Sequence, residues 1–187
     1  LYGGDTFDDY FVDNILKNKT PKAIDRNMFI LLKKMKPLFV GLNELYRYNI
    51  SHLDIKVNNI VIHNGVFKYI DLGLSSKLSD SDNFKSRSLS ELNEKRYYLW
   101  YPIEYIYSHA SKAELNRELS HMMERANYDR CVKIHKLFNV KFKNSVENLI
   151  LTPQKINHNK LNSLIDTYSL GILIPYLFIK YHIEKYI

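Results

Sequence analysis

The stretch from Ser51 to Gly73, SHLDIKVNNIVIHNGVFKYIDLG, constrains the fold of this chain more than any other. Its Asn64-Gly65 pair accepts positive φ at both central positions of a tight turn, so the flanking apolar runs are predicted to pair as an antiparallel hairpin. The two arms are residues 60–62 and 66–70. Their pairing brings the loop before the hairpin and the loop after it to the same end.

Four polar side chains lie in these two loops: Asp54, Lys56, Asn59 and Asp71. The hairpin predicts that they converge on one point. A carboxylate beside a hydroxyl can orient it and accept its proton, and a lysine can neutralise a transferring phosphoryl group. Asn and Asp oxygens suit Mg²⁺, which prefers oxygen ligands. The set therefore predicts a magnesium-phosphate site, and the alternative is an ordinary hairpin with a charged surface loop.

The order His-x-Asp-x-Lys-x-x-Asn, hairpin, Asp-x-Gly resembles the catalytic loop and metal-binding segment of the eukaryotic-type protein kinases. The resemblance implies that Asp54 orients the acceptor hydroxyl and takes its proton. It implies that Lys56 stabilises the γ-phosphoryl group of ATP, and that Asn59 and Asp71 hold Mg²⁺. A Lys two residues after the Asp favours the Ser/Thr class over the Tyr class.

The resemblance also implies supporting roles. His52 is expected to pack and bond to the backbone, and Gly73 is expected to support the metal-binding segment. The opening Gly-Gly-acid stretch resembles the chain just after the hinge between the two kinase lobes, so Asp5 is implied to bond the ATP ribose. The alternative is that Asp5 or Thr6 caps the next helix. Leu53 replaces the usual Arg, which argues against switching by a phosphate in the following segment.

A second matching motif, Asp166-Thr-Tyr-Ser-Leu-Gly171, resembles the start of the buried central helix of the C-terminal lobe. In the family an Asp there bonds backbone amides of the catalytic loop. A buried carboxylate is costly unless such donors satisfy it. The alternative for Asp166 is simple capping of the apolar helix at 170–179.

Apolar spacing predicts the helices that precede the hairpin. A first helix is expected to run to about Lys17, and a second from about Asp25 to Tyr48. Pro37 lies inside the second pattern and must kink or divide it, because proline lacks an N–H and clashes with the preceding turn.

The region after Gly73 is predicted from composition and resemblance. Residues 75–96 are rich in Ser and mixed charges, which favours a mobile surface loop where a kinase activation segment would lie. Trp100-Tyr-Pro-Ile-Glu104 resembles the Ala-Pro-Glu close of that segment, whose Glu is held in the family by a distant Arg. Residues 108–157 are predicted to form one or two amphipathic helices, beginning with a capping box from Ser111 to Glu114. This insertion is expected to pack on the same chain, and the alternative is that it binds a partner.

Composition restricts the functional classes. The chain has 187 residues, 45% hydrophobic and 25% charged, as in an ordinary globular protein. Its net charge of +7 is spread along the sequence with no nucleic-acid module, so no nucleic-acid partner is expected. No apolar run predicts a membrane span, and the start does not resemble a signal peptide. The single Cys131 fits a reducing compartment and a buried structural role.

The predicted fold is therefore α+β, mainly α: the C-terminal lobe of a protein-kinase-like fold with a small β-hairpin and without the N-terminal lobe. The implied order is the end of the hinge (1–5), the first helices of the lobe (6–50), the catalytic loop and metal-binding segment (51–73), the activation segment (74–104), an insertion (105–158) and the central helix (159–187).

The predicted function is ATP- and Mg²⁺-dependent phosphorylation of a protein hydroxyl by the complete enzyme. Because no Gly-rich phosphate loop, strand Lys or partner Glu precedes the hinge, the isolated chain is expected to be a fragment with very low activity. The alternative is that the gene itself encodes a reduced protein. The alternatives are a non-catalytic kinase-like module that binds a partner through residues 108–157, and a small-molecule phosphotransferase of the aminoglycoside or choline type. Heavy use of Asn, Ile, Lys and Tyr suggests an AT-rich genome and a large DNA virus, with a location in the host cytoplasm or virion.

Overall fold

The computed structural model describes residues 4–17, 20–94, 96–151 and 157–183. They form a mostly helical structure with two small antiparallel sheets, which confirms the predicted α+β, mainly α class. The helices are α1 (Phe7–Phe11), α2 (Pro21–Lys34), α3 (Lys36–Arg47), α4 (Ser81–Asn93), α5 (Ile103–Tyr107), α6 (Lys112–His121), α7 (Tyr128–Leu137), α8 (Phe142–Leu151), α9 (His158–Gly171) and α10 (Leu173–Lys180). The strands are β1 (Ile50–Ser51), β2 (Ile60–His63), β3 (Val66–Tyr69) and β4 (Ser76–Lys77).

The first helix begins at a reciprocal cap. The Thr6 hydroxyl accepts a hydrogen bond from the Asp9 amide at 3.1 Å, and the Asp9 carboxylate accepts one from the Thr6 amide at 3.0 Å. Of the two residues proposed as the cap, Thr6 therefore has that role. A π-helical turn over Val12–Leu16 carries the helix to its predicted end. Residues 1–3 of the opening Gly-Gly stretch lie outside the described residues.

Pro37 divides the long helix before the hairpin into two, as predicted. Helix α2 ends at Lys34 and α3 begins at Lys36, with Pro37 in the first turn of α3, where its missing N–H needs no partner. Helix α2 begins at Pro21, earlier than the predicted Asp25, because the Thr20 side chain caps it.

The predicted hairpin is present. Strands β2 and β3 pair from Ile60 with Tyr69 to His63 with Val66, and the turn residues Asn64 and Gly65 have φ values of 52° and 75°. The chain on either side of the hairpin is joined by the second sheet, in which β1 pairs antiparallel with β4. The loops that flank the hairpin are therefore fixed at their outer ends as well.

The predicted mobile loop at residues 75–96 is wrong, because most of this region is helical. Helix α4 is capped by the Asp80 side chain and buries Phe84, Ser88 and Leu92, which lie on one face at a spacing of four residues. Ser88 donates to the Tyr105 carbonyl at 2.9 Å, so even the central serine of this face is satisfied in the interior. The packing of this face favours a helix here, although the remaining positions are polar.

The prediction of one or two helices in residues 108–157 is also wrong in number, because α6, α7 and α8 are separate helices. The capping box is confirmed: Ser111 and Glu114 bond reciprocally at the start of α6. Helix α8 contacts α5, α6 and α7, so this region packs on the same chain, as expected.

Arg125, which forms a buried ion pair with Glu118 inside this region, fastens the region to the end of α4. The guanidinium of Arg125 lies 2.5 Å from the Glu118 carboxylate, and their side chains are 9% and 7% exposed. Arg125 also donates to the carbonyls of Leu92 and Glu94, which have no partner within the helix. One side chain therefore links the insertion to the helix that follows the hairpin.

The final apolar segment differs from the predicted central helix. Helix α9 begins at His158, capped by Asn157, so Asp166 lies in its middle and the capping alternative for Asp166 is wrong. A break at Ile172 separates α9 from α10. Within the described part of the chain no single helix is long and apolar enough to span a membrane, and only α9 and α10 taken together, bent by 40°, reach that criterion.

The buried tyrosines predict a specific alkaline weakness. Burial raises the pKa of Tyr97, Tyr101, Tyr105 and Tyr107 above the ordinary value of 10.0. Above this pH the unfolded chain loses protons that the folded chain keeps, so the free energy of unfolding should fall by up to about 1.4 kcal/mol per pH unit for each such group. Urea unfolding between about pH 8 and pH 11 measures this slope.

One variant tests the assignment. Tyr105→Phe should reduce the alkaline slope by about one proton, because burial raises the pKa of Tyr105. A slope in Tyr105→Phe equal to that of the unmodified chain would contradict the burial argument.

Candidate active site

Residues 51–59, which run from the end of β1 to the start of β2 and are here called the polar loop, are held by one buried carboxylate. Asp166, fully buried in the middle of α9, accepts hydrogen bonds from the Ser51 hydroxyl at 2.8 Å, the His52 amide at 2.7 Å and the Leu53 amide at 2.9 Å. Three donors from three consecutive residues offset the cost of burying the charge. This is the bonding that the family resemblance implies for Asp166.

His52 is fully buried and both its ring nitrogens have partners. Its Nε2 lies 3.1 Å from the Ile70 carbonyl oxygen, and its Nδ1 accepts a hydrogen bond from the Asp54 amide at 3.3 Å. The ring also packs edge-on against Tyr69. These contacts connect the two sides of the hairpin, and they give His52 a structural position rather than that of a base.

The polar loop turns sharply before Asp54. Leu53 has a φ of 59°, an unusual value for a non-glycine residue, which the Asp166 hydrogen bonds stabilise. After this turn the Asp54 side chain meets Lys56, whose Nζ lies 2.8 Å and 3.0 Å from the two carboxylate oxygens. Asp54 is only 4% exposed, so the ammonium group compensates a nearly buried negative charge.

Asn59 completes this cluster. Its Nδ2 donates to the Asp54 carboxylate at 2.7 Å and to the Asp54 carbonyl at 2.9 Å. Both amide hydrogens are thus directed at Asp54, and the amide oxygen stays available as an acceptor or a cation ligand. The structure therefore brings together three of the four polar residues of the predicted site: Asp54, Lys56 and Asn59.

Asp71, the fourth residue, lies next to this cluster along the backbone. The Ile70 amide donates to the Asn59 carbonyl at 3.0 Å, so the residue before Asp71 is hydrogen-bonded to the end of the polar loop. Asp71 itself is exposed, in the left-handed conformation with φ 61°, and its carboxylate accepts a hydrogen bond of 3.3 Å from the Gly73 amide. It makes no hydrogen bond to Asp54, Lys56 or Asn59 within the described residues.

Two glycines allow close backbone approaches here. A Cβ at Gly73 would lie 3.1 Å from the Asp71 carboxylate, and one at Gly4 would lie 2.7 Å from the Ile62 carbonyl oxygen. Next to Gly4, the Asp5 carbonyl accepts a hydrogen bond from the Ile62 amide at 2.9 Å. The Asp5 side chain is exposed beside β2, so it is on the surface near the hairpin and outside the Asp54 cluster.

Tyr98 and Tyr101 belong to the site but were not predicted from the sequence. The Tyr98 hydroxyl donates to the Asp54 carboxylate at 2.5 Å, and the Tyr101 hydroxyl donates to the Leu53 carbonyl at 2.7 Å. Burial, and then the hydrogen bond to Asp54, raise the pKa of Tyr98, so this phenol is a neutral donor near pH 7. No local pattern marks these two among the 15 tyrosines of the chain.

Within the described residues Glu104 forms no ion pair with an Arg. Glu104 is exposed in the first turn of α5, and the buried Arg125 pairs with Glu118. The Trp-Tyr-Pro-Ile-Glu segment contributes to the site through Tyr101 and through Trp100, whose carbonyl accepts from Ser169 on α9 at 2.5 Å.

The oxygen donors near the hairpin fit a magnesium site of a particular kind. Within the described residues no three His, Cys, Asp or Glu side chains group together as an all-protein metal cage. Mg²⁺, however, is usually held by one or two protein ligands together with water and phosphate oxygens. The exposed carboxylate of Asp71 and the amide oxygen of Asn59, which accepts no hydrogen bond from the described residues, match that chemistry.

Residues 10–99 match a family model described as the protein kinase domain. This part of the chain is similar to a protein kinase domain. The matched part contains the polar loop, the hairpin and Asp71, while Asp166 lies beyond it. Neither a curated protein nor a solved structure matches the chain significantly. The match supports a kinase-like, phosphotransferase function.

The Asp166 contacts predict a graded pattern of destabilisation. Asp166→Ala leaves the Ser51 hydroxyl and two buried amides without an acceptor and should lower the free energy of unfolding by about 3 kcal/mol or more. Ser51→Ala removes one of three donors and should cost about 1 kcal/mol. Denaturant unfolding checks both values.

Equal stabilities for these two variants would contradict the assignment. Asp13→Asn is the matched control, because Asp13 is an exposed Asp in the π-helical turn, and it should change stability by less than about 0.5 kcal/mol.

Proposed function

We propose that this chain supplies the catalytic residues of an ATP-dependent protein kinase of the Ser/Thr class, corresponding to its C-terminal lobe. The observation that carries the proposal is the Asp54 carboxylate, 4% exposed, bonded to Lys56 and Asn59 on a loop held by Asp166. An ordinary charged hairpin has no need of a nearly buried carboxylate with this set of partners.

The proposed reaction transfers the γ-phosphoryl group of ATP to a Ser or Thr hydroxyl of a protein substrate. The hydroxyl oxygen forms a bond to the γ-phosphorus, the bond between that phosphorus and the β,γ-bridging oxygen breaks, and ADP leaves. Asp54 orients the hydroxyl and accepts its proton. Lys56, 31% exposed beside Asp54, can reach the transferring group and neutralise its charge.

Asn59 and Asp71 are proposed to hold the Mg²⁺ that accompanies ATP. The bound ion would neutralise charge on the phosphates. The protein contributes one amide oxygen and one carboxylate at the same end of the hairpin. The hydrogen bond between Ile70 and Asn59 supports this placement. Asp5 is proposed to bond the ATP ribose.

The Ser/Thr class is proposed because Lys56 follows Asp54 by two residues. His52, Gly73 and Asp166 support the site without touching the substrate. The cytoplasmic location, the viral origin and the domain boundaries remain predictions.

The decisive variant is Asp54→Asn. It keeps the size of the side chain and removes the proton acceptor, so in the complete enzyme phosphate transfer from radiolabelled ATP to casein or myelin basic protein should fall by about 10²- to 10⁴-fold. The matched control is Asp13→Asn, an exposed Asp in the π-helical turn, which should keep the original rate.

The same assay separates the alternatives. Transfer to choline or to an aminoglycoside, with none to either protein, would favour a small-molecule phosphotransferase. Transfer that is equal in the Asp54→Asn and Asp13→Asn variants would contradict the proposed catalytic role of Asp54.

A further inference from the structure

The carboxylate of Asp54 has no unused acceptor position. Its Oδ1 accepts from Lys56 at 3.0 Å and from Tyr98 at 2.5 Å, while its Oδ2 accepts from Lys56 at 2.8 Å and from Asn59 at 2.7 Å. A carboxylate offers about four lone-pair sites, so these four hydrogen bonds saturate it. A substrate hydroxyl can bond to Asp54 only if one of the present donors leaves.

Tyr98 is the donor best suited to leave. Lys56 and Asn59 belong to the polar loop and lie within five residues of Asp54, whereas Tyr98 lies 44 residues along the chain. Tyr98 is also the one hydroxyl among the three donors, so it makes to Asp54 the same kind of hydrogen bond that an acceptor Ser or Thr would make.

Hydrogen bonds fix the backbone next to Tyr98, while its side chain is only half-buried. The neighbouring Tyr97 amide donates to the Ala126 carbonyl at 2.9 Å, and the Asn127 side chain donates to the Tyr97 carbonyl at 3.0 Å. The Tyr98 ring is half-buried and packs edge-on against Tyr101 at 4.7 Å between ring centroids. Rotation of the Tyr98 side chain would therefore release Asp54 without unfolding the segment.

We propose that the Tyr98 hydroxyl occupies the acceptor position on Asp54 and that a protein substrate must displace it before phosphate transfer. The proposal rests on the proposed function of Asp54. Here this occupation of Asp54 by Tyr98 is called the block, and molecules in which Tyr98 has left Asp54 are called open. The block competes with the acceptor and not with ATP. It therefore multiplies the KM for the acceptor by the inverse of the fraction of open molecules.

The first test compares Tyr98→Phe with the unmodified protein, both as the complete enzyme, in the phosphorylation assay on casein and myelin basic protein. Loss of a hydrogen bond to a charged group should raise kcat/KM for the acceptor about tenfold, through a lower acceptor KM and with the KM for ATP unchanged. Tyr105→Phe is the matched control, because its hydroxyl bonds to the Phe84 carbonyl, and it should show no rise.

Three outcomes of this assay would overturn the block. These are an unchanged acceptor KM in Tyr98→Phe, an equal rise in Tyr105→Phe, and phosphate found on Tyr98 itself by mass spectrometry, which would make this tyrosine an acceptor.

The second test needs no activity and so separates the inference from the proposed function. Ring-carbon NMR of tyrosine-labelled chain at neutral pH, with Tyr98 assigned by its loss in Tyr98→Phe, should show a Cζ chemical shift of Tyr98 that moves in Asp54→Asn. A Tyr98 Cζ shift that is the same in both backgrounds overturns the contact, whatever the activity. A dependence on Asp54 without phosphate transfer in any variant supports the contact and contradicts the proposed function alone.

Discussion

The candidate site depends on the buried carboxylate of Asp166. A charge in the interior is tolerated only when donors surround it, and here the donors are the hydroxyl and amides of three consecutive residues, 51–53. The bond to the Leu53 amide spans 113 residues of sequence. It stabilises the positive φ of Leu53, and this turn directs Asp54 toward Lys56 and Asn59. A helix near the end of the chain thereby sets the shape of a loop near its beginning.

The polar loop that Asp166 holds is in turn hydrogen-bonded to the base of the hairpin. His52 bonds to Ile70 across the base of the hairpin, and Asn59 bonds to the same residue through its carbonyl. Both contacts fix the residue that precedes Asp71. The carboxylate proposed to hold Mg²⁺ is thus positioned through its neighbour's backbone, while its own side chain stays exposed to solvent and to a phosphate ligand.

Local signals were sufficient for much of the fold. The Asn64-Gly65 turn, the division of a helix at Pro37 and the capping box at Ser111 each depend on a few adjacent residues, and each is present. The cluster of Asp54, Lys56 and Asn59 also follows from a short motif on one loop. For Asp166, in contrast, local reasoning alone favoured helix capping, and the family resemblance was needed to indicate a long-range contact.

The errors arose where tertiary packing outweighs composition. Helix α4 has a polar sequence, yet Phe84, Ser88 and Leu92 are buried on one face of it. Composition alone does not distinguish a helix with so few buried residues from a surface loop. The third helix in the insertion was also missed, although Phe142 and Val146 bury one face of it at helical spacing. Tyr98 could not be found at all, because its contact with Asp54 depends on how residues 96–102 return to the polar loop.

The most direct test of this account replaces Mg²⁺ by paramagnetic Mn²⁺ and adds ATP. If Asn59 and Asp71 share one metal-phosphate pocket shaped by Asp166, the side-chain resonances of Asn59 and Asp71 should broaden at the same low concentration of Mn²⁺ and ATP. The broadening of Asn59 should disappear in Asp166→Ala. Broadening of Asp71 without Asn59, or equal broadening of exposed carboxylates such as Asp13, would contradict a shared pocket.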